Sequence, residues 1–345
     1  MTIIVIPLLL LTIAGGVLIY QSADDIRPVV MEQIDSVIAG VESGMATVNA
    51  PTAIPTVNPV NILVNADNFW DAGSVNEALS LYIDVLPSVP NDATVYTRVV
   101  TGLIGTGEVS RALIFAEDAV TADPYSSDAW AARAWTLDWS GDAGGAIVSA
   151  LHAEALDPQN DRAIAWLAEA YLSAEQVQRA LDTANRAIEL NPDSAEAYRA
   201  RGYVNWLGLF DTVTALNDLE TAFEIAIVNN PSMLGLIAVD IAQLSIGNQD
   251  VDDAIVVLER VLELNPENTS ALYWMGSIYF GNLGDPSQAS TYVTRCVEVN
   301  PDSVNCNYLL GRTQDRLEQP EAAAQSFIQA VNLGSQVSRH WWWAA

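Results

Sequence analysis

The chain has 345 residues, half of them apolar, with 43 acidic and 14 basic side chains and a formal net charge of −29. Every basic residue is arginine, and a surface this acidic repels phosphate backbones, which excludes nucleic acid as a partner. Two histidines and two cysteines leave too few groups for a transition-metal or nucleophilic centre, so the composition points away from an enzyme and implies no cofactor and no metal.

Residues 1–20 (MTIIVIPLLLLTIAGGVLIY) carry no charged side chain. Twenty helical residues span about 30 Å, the thickness of a bilayer's hydrocarbon layer. The segment lacks the basic start of a cleaved signal peptide, and Gln21-Ser22-Ala23 is a poor cleavage site. An uncleaved anchor fits better, and the net negative flank of Asp24, Asp25 and Arg27 places the remainder of the chain outside the cytoplasm. After Pro28, the residues Val30, Ile34, Val37, Ile38 and Val41 recur at helical spacing on one face. Residues 1–42 thus read as a hydrophobic and then amphipathic N-terminal helix. Its opening Met1-Thr2-Ile3-Ile4 resembles the stalk of type IV pilins, which pack together in a filament core; Val5 stands where pilins carry glutamate. Residues 1–20 are expected to lie either in a membrane or in such a core. Residues 43–59 (SGMATVNAPTAIPTVNP) hold enough Pro and Thr to predict an extended linker.

Beyond the linker the sequence is repetitive. Pro90, Pro124, Pro158 and Pro192 are each 34 residues apart, and Pro231, Pro266 and Pro301 come next at intervals of 39, 35 and 35. A fixed period of this length predicts stacked helix pairs over residues 60–335, each proline stopping the second helix of its pair. Twelve residues before each proline lie Ala78, Ala112, Ala146, Ala180, Leu219, Ala254 and Ala289, where helices cross. Gly73, Gly107 and Gly141, seventeen residues before the proline, mark the turn inside the pair. Aromatic residues early in the first helix (Tyr96, Trp130, Tyr198) and a small residue soon after (Gly202, Gly276, Gly311) complete the pattern. It resembles the tetratricopeptide repeat (TPR), with about eight copies. That resemblance implies an all-α, right-handed superhelical solenoid that serves as a non-catalytic protein–protein interaction module. The five additional residues of repeat five are expected in its internal loop around Leu209–Thr214, and repeat six is the least faithful copy.

The resemblance also implies a concave groove lined by the first helices. Projecting the pattern puts Trp135, Asp138, Trp139, Arg162, Glu169, Arg199, Tyr203 and Trp206 toward it. Aromatic and arginine side chains suit a partner-binding surface, although Trp135 and Trp206 also suit packing between repeats. The slots that clamp a partner's C-terminal carboxylate in some TPR domains hold Thr97, Ala131 and Ala165, so such a clamp is not expected. Cys296 and Cys306 flank one inter-repeat turn, either as a structural disulfide outside the cytoplasm or as buried thiols. Asn248, Asp250, Asp252 and Asp253 read as a capped inter-helix turn rather than a calcium loop. In the tail, residues 336–345, Trp341, Trp342 and Trp343 form an apolar run that caps the solenoid, docks on a neighbouring subunit or touches a membrane interface.

Two functions fit. In one, the chain is an extracytoplasmic structural subunit that self-assembles with other copies, in the manner of a cell-surface filament. In the other, it is a membrane-anchored adaptor whose groove recruits a different protein.

Overall fold

The computed structural model describes residues 58–334, and among them every regular element is helical. Sixteen α-helices pair in chain order into eight repeats. Repeats one and two are α1 (Pro59–Asp71) with α2 (Val75–Val85) and α3 (Ala93–Gly105) with α4 (Val109–Ala122). Repeats three and four are α5 (Ser127–Trp139) with α6 (Ala143–Leu156) and α7 (Asp161–Ser173) with α8 (Val177–Leu190). Repeats five and six are α9 (Ala195–Tyr203) with α10 (Thr212–Asn229) and α11 (Leu234–Gly247) with α12 (Val251–Leu264). Repeats seven and eight are α13 (Thr269–Ser277) with α14 (Pro286–Val299) and α15 (Val304–Arg316) with α16 (Pro320–Asn332). From repeat two to five, and again from six to eight, each first helix also packs on the first helix of the next repeat. The hydrophobic 1–42 helix, the linker up to residue 57 and the Trp341–Trp343 tail lie outside the described residues.

The turn chemistry explains the boundaries. Each repeat proline ends one pair, and the residue two positions later caps the next first helix with its side chain: Asp92, Ser126, Asn160, Ser194, Asn268 and Ser303. Pro231 breaks the rule, opening a 3-10 turn at Pro231–Met233 with no side-chain cap. Inside every repeat the turn needs one residue in the left-handed region. Gly73, Gly107, Gly141 and Gly284 take it freely, whereas Glu175, Phe210, Gln249 and Glu318 hold φ between 58° and 68°. Four residues past each second-helix cap sits a buried alanine: Ala78, Ala112, Ala146, Ala180, Ala215, Ala254, Ala289 and Ala323.

That register corrects two expectations for repeat five. Its insertion is mostly not a loop, because α10 has 18 residues where α8 has 14, an added helical turn before Pro231. The small crossing residue is therefore Ala215 rather than Leu219, which instead fills the space under Gly202. The remaining extra residue sits in a π turn, Val204–Gly208, and repeat seven has a matching one at Ile278–Asn282.

The solenoid comes round on itself. Asn76 Nδ2 donates to Thr269 Oγ1 at 3.1 Å, Asn265 Nδ2 to the Gly73 carbonyl at 2.9 Å, and Ser270 Oγ to the Gly105 carbonyl at 2.8 Å. These bonds tie repeats one and two to the end of repeat six and the start of repeat seven. A side chain at Gly73 would meet the Pro231 carbonyl oxygen at 3.0 Å, so this glycine is fixed by the seam as well as by its turn. Helix α11, the unfaithful copy, is apolar on nearly every face, and 11 of its 14 residues are buried. A helix hydrophobic all round belongs inside a core. One continuous apolar cluster runs from Ala66 in repeat one to Ile278 in repeat seven and includes Trp135, Trp166, Leu236 and Ile237. At the far end Cys296 and Cys306 are joined in a disulfide, with Cα atoms 5.8 Å apart, stapling repeat seven to repeat eight.

Candidate functional site

Seven of the eight residues projected onto the groove come together on the inner face. Arg199 of α9 is their hub. Its Nε donates to Asp240 of α11 at 2.6 Å, one Nη to Glu169 of α7 at 2.9 Å, and the other to the Tyr203 hydroxyl at 3.0 Å. Tyr203 in turn donates to Asp240 at 2.7 Å. The guanidinium carbon lies 4.6 Å from the Tyr203 ring centre, 5.8 Å from Trp139 and 6.0 Å from Trp135. Trp135 stacks on Trp166 with centroids 4.3 Å apart and meets Trp139 edge-on, while Trp206 leans on Tyr203. This network joins first helices from repeats three, four, five and six.

Burial changes what the network can do. Arg199 is fully buried, Asp240 and Trp135 are each 2% exposed and Glu169 is 4% exposed. Those side chains are internal ties, not surface open to a ligand. Asp138, Trp139, Tyr203 and Trp206 stay half-buried at the rim. Arg162 stands apart in the first turn of α7, exposed and paired with Asp128 at 2.8 Å. The physical reason is the closure: when the superhelix curls until repeat seven meets repeat one, first-helix residues face a packed interior. Sequence projection places them on the right helix face but cannot say how tightly the face is curled.

The interior is electrically unbalanced. One arginine faces Glu169 and Asp240, with Asp138 close enough to feel it. Burial pushes the Glu169 carboxyl up to about 7, outweighing the pull of Arg199. Burial likewise raises Asp138 to about 6 and moves Asp240 upward. The buried Trp135 indole N–H is turned toward Glu169 but falls short of a hydrogen bond.

A second carboxyl pair sits at the seam. Glu77 of α2 and Glu267 line a cavity of about 670 Å³ together with Arg295, Glu298, Phe69 and Leu81. Burial and then its hydrogen bond with Glu267 raise the Glu77 carboxyl above its ordinary range. Arg295 is committed to the Pro266 carbonyl at 2.7 Å. Among the described residues no group of His, Cys, Asp and Glu has metal-holding geometry, and no helix is long and apolar enough to cross a membrane. Asp250 caps α12 by accepting from the Asp253 amide.

Residues 140–202 match the family described as tetratricopeptide repeat, and residues 247–330 match the family of anaphase-promoting complex (cyclosome) subunit 3. The chain is a tetratricopeptide-repeat protein. No curated protein sequence matches it significantly. Similar solved structures include the APC/C hetero-tetramer Cut9–Hcn1, at 17% identity and TM-score 0.43, over 76% of this chain and 50% of that one. The chain thus spans half the length of that protein. Another is the human IFIT1 dimer with m7Gppp-AAAA, at 12% identity and TM-score 0.49, over 88% of this chain and 78% of that one.

Proposed function

We propose that the protein is a non-catalytic, extracytoplasmic scaffold subunit that assembles with copies of itself, in the manner of a cell-surface filament. The observation that carries this reading is the filled inner face. A repeat solenoid offers two surfaces, and with Arg199, Glu169 and Trp135 buried the broad contact surface left is the outer one. The Cys296–Cys306 bond supports an oxidising compartment, since such bonds rarely persist in a reducing cytosol. The uncharged run at residues 1–20 supplies a membrane anchor or a helical filament core.

Electron microscopy of the native full-length chain, beside a chain beginning at Asn58, tests it. Ordered assemblies from the full-length chain alone are the expected result. Because −29 charges per subunit oppose close packing, those assemblies should loosen in low-salt buffer containing a chelator. Single detergent-solubilised particles that never associate would overturn the reading. A membrane-anchored adaptor is the second reading, favoured by the half-buried rim of Asp138, Trp139, Tyr203 and Trp206. Its mark would be a monomer that captures a defined peptide, lost on Trp139→Ala.

A further inference from the structure

The inner side of the last two repeats differs from the interior built around Arg199. Phe280 stands four residues after Gly276, as Trp206 does after Gly202, and Arg312 directly follows Gly311, as Tyr203 follows Gly202. The register thus puts both on the inner side, and Arg316 lies one helical turn beyond Arg312 on α15. The guanidinium carbons of Arg312 and Arg316 are 4.8 Å and 5.5 Å from the centre of the Phe280 ring. Phe280 and Arg312 are half-buried, and Arg316 is exposed. Tyr273 of α13 borders the same place: burial raises its hydroxyl, and Arg312 is close enough to pull against that shift.

The pair is set apart by its lack of counter-charge. The chain has 43 acids for 14 bases, and among the described residues most arginines are held by carboxylates. Arg179 donates instead to Gln176, and Arg295 to the Pro266 carbonyl. Arg312 and Arg316 have neither an ion pair nor a hydrogen bond through the guanidinium among the described residues, although Asp315 directly precedes Arg316. Like charges four apart on a helix repel each other. Packing on one ring holds the two planar groups in place with their N–H edges unspent, and such edges take carboxylates two bonds at a time. An anion seated there gains both edges and relieves the repulsion.

Spacing says what kind of anion fits. Residues four apart on a helix rise about 6 Å. Alternate residues of an extended chain are about 6.6 Å apart on one face. We propose that Arg312 and Arg316, backed by Phe280, bind an extended acidic segment of a partner protein, one guanidinium to each of two carboxylates at alternate positions. Among the described residues this chain's own acids lie on helices and short turns, so a second copy offers no extended acidic run there. The site goes beyond the scaffold role and holds whether or not the chain assembles with itself.

The test measures binding of a dye-labelled peptide of alternating Glu and Leu to the full-length chain, beside a peptide of alternating Gln and Leu. A net charge of −29 repels the acidic peptide from the rest of the surface, so its binding reports a local site. The expected result is binding of the acidic peptide alone, weakened by added salt. Arg312→Gln with Arg316→Gln should weaken it by about tenfold or more, with the melting curve unchanged. Arg316→Gln alone, at the exposed guanidinium, should take part of that loss. Arg111→Gln with Arg179→Gln removes the same charge from exposed sites elsewhere and should leave binding as it was. No binding of the acidic peptide, or an equal loss in both double variants, would overturn the site. Displacement by inorganic phosphate beyond that by sodium chloride of equal ionic strength would assign the pair to a free anion and overturn the peptide. Self-association in sedimentation that is lost with Arg312→Gln and Arg316→Gln would assign it to a second copy, with the same consequence.

Discussion

The inner face of repeats three to six and the outer face of α6 reverse the usual distribution of polarity. Inside, an arginine and two carboxylates are shut away from water, satisfied by one another and by the Tyr203 hydroxyl at the rim. Outside, Val148 and Leu151 of α6 stand open to solvent. In a solenoid the burial of a residue depends on two things: its face on the helix, and how far the superhelix curls above it. The curl here hides charged first-helix residues, while nothing within the described residues covers α6.

The sharpest way to break the contrast is Arg199→Met. It leaves Glu169 and Asp240 buried without their cation, and a loss of about 3–5 kcal/mol is expected in denaturant unfolding. A loss below about 1 kcal/mol would mean that water reaches these carboxylates. Acidity provides the next largest effect. A carboxyl raised from 4.5 to about 7 in the folded chain binds a proton that the unfolded chain has released. Its contribution is complete below pH 4.5 and is lost as pH rises toward 7, worth about 2–3 kcal/mol. Melting temperature should therefore fall across that window, and Glu169→Gln should flatten the fall; an unchanged slope in the variant would place the titration elsewhere. Glu77→Gln should flatten a smaller part of the same fall, because the Glu77 carboxyl shifts in the same direction.

Disulfide removal comes third. Cys296→Ser with Cys306→Ser should cost about 2 kcal/mol and act on repeat eight first. Limited proteolysis that cuts α15 and α16 no faster than before would argue against a staple. The smallest change concerns the left-handed turn residues. Glu175→Gly relieves a strained φ of 59° and should stabilise by about 0.5–1 kcal/mol. Gly141→Ala, at φ 89°, should destabilise by a similar or larger amount.

Much of this architecture is legible in the sequence because local chemistry fixes it. Proline spacing predicts the helix ends, and the buried alanines and turn glycines predict the pairing. Even the composition of α6, with a single acidic residue in 14, marks it as unlike its neighbours. The seam is not legible, since Asn76, Thr269, Asn265 and Gly73 are far apart in the chain and ordinary in type. The burial of Arg199 is hidden for the same reason: its partners sit 30 and 41 residues away. One signal does exist. Repeat six loses its aromatic residue and its cap, and its first helix (LGLIAVDIAQLSIG) is apolar apart from Asp240, Gln243 and Ser245, with Asp240 its one charged side chain. A lone acid within such a helix implies a buried partner, and the poorest copy of the repeat marks the segment that is packed on all sides.

Native-state hydrogen exchange resolved along the chain measures the closed interior most directly. If the superhelix is shut around α11, the amides of Leu236–Leu244 exchange last of all and slower than those of α15 and α16 by at least about a hundredfold. Exchange in α11 as fast as in the terminal repeat would contradict a closed interior and restore the inner face as an open groove.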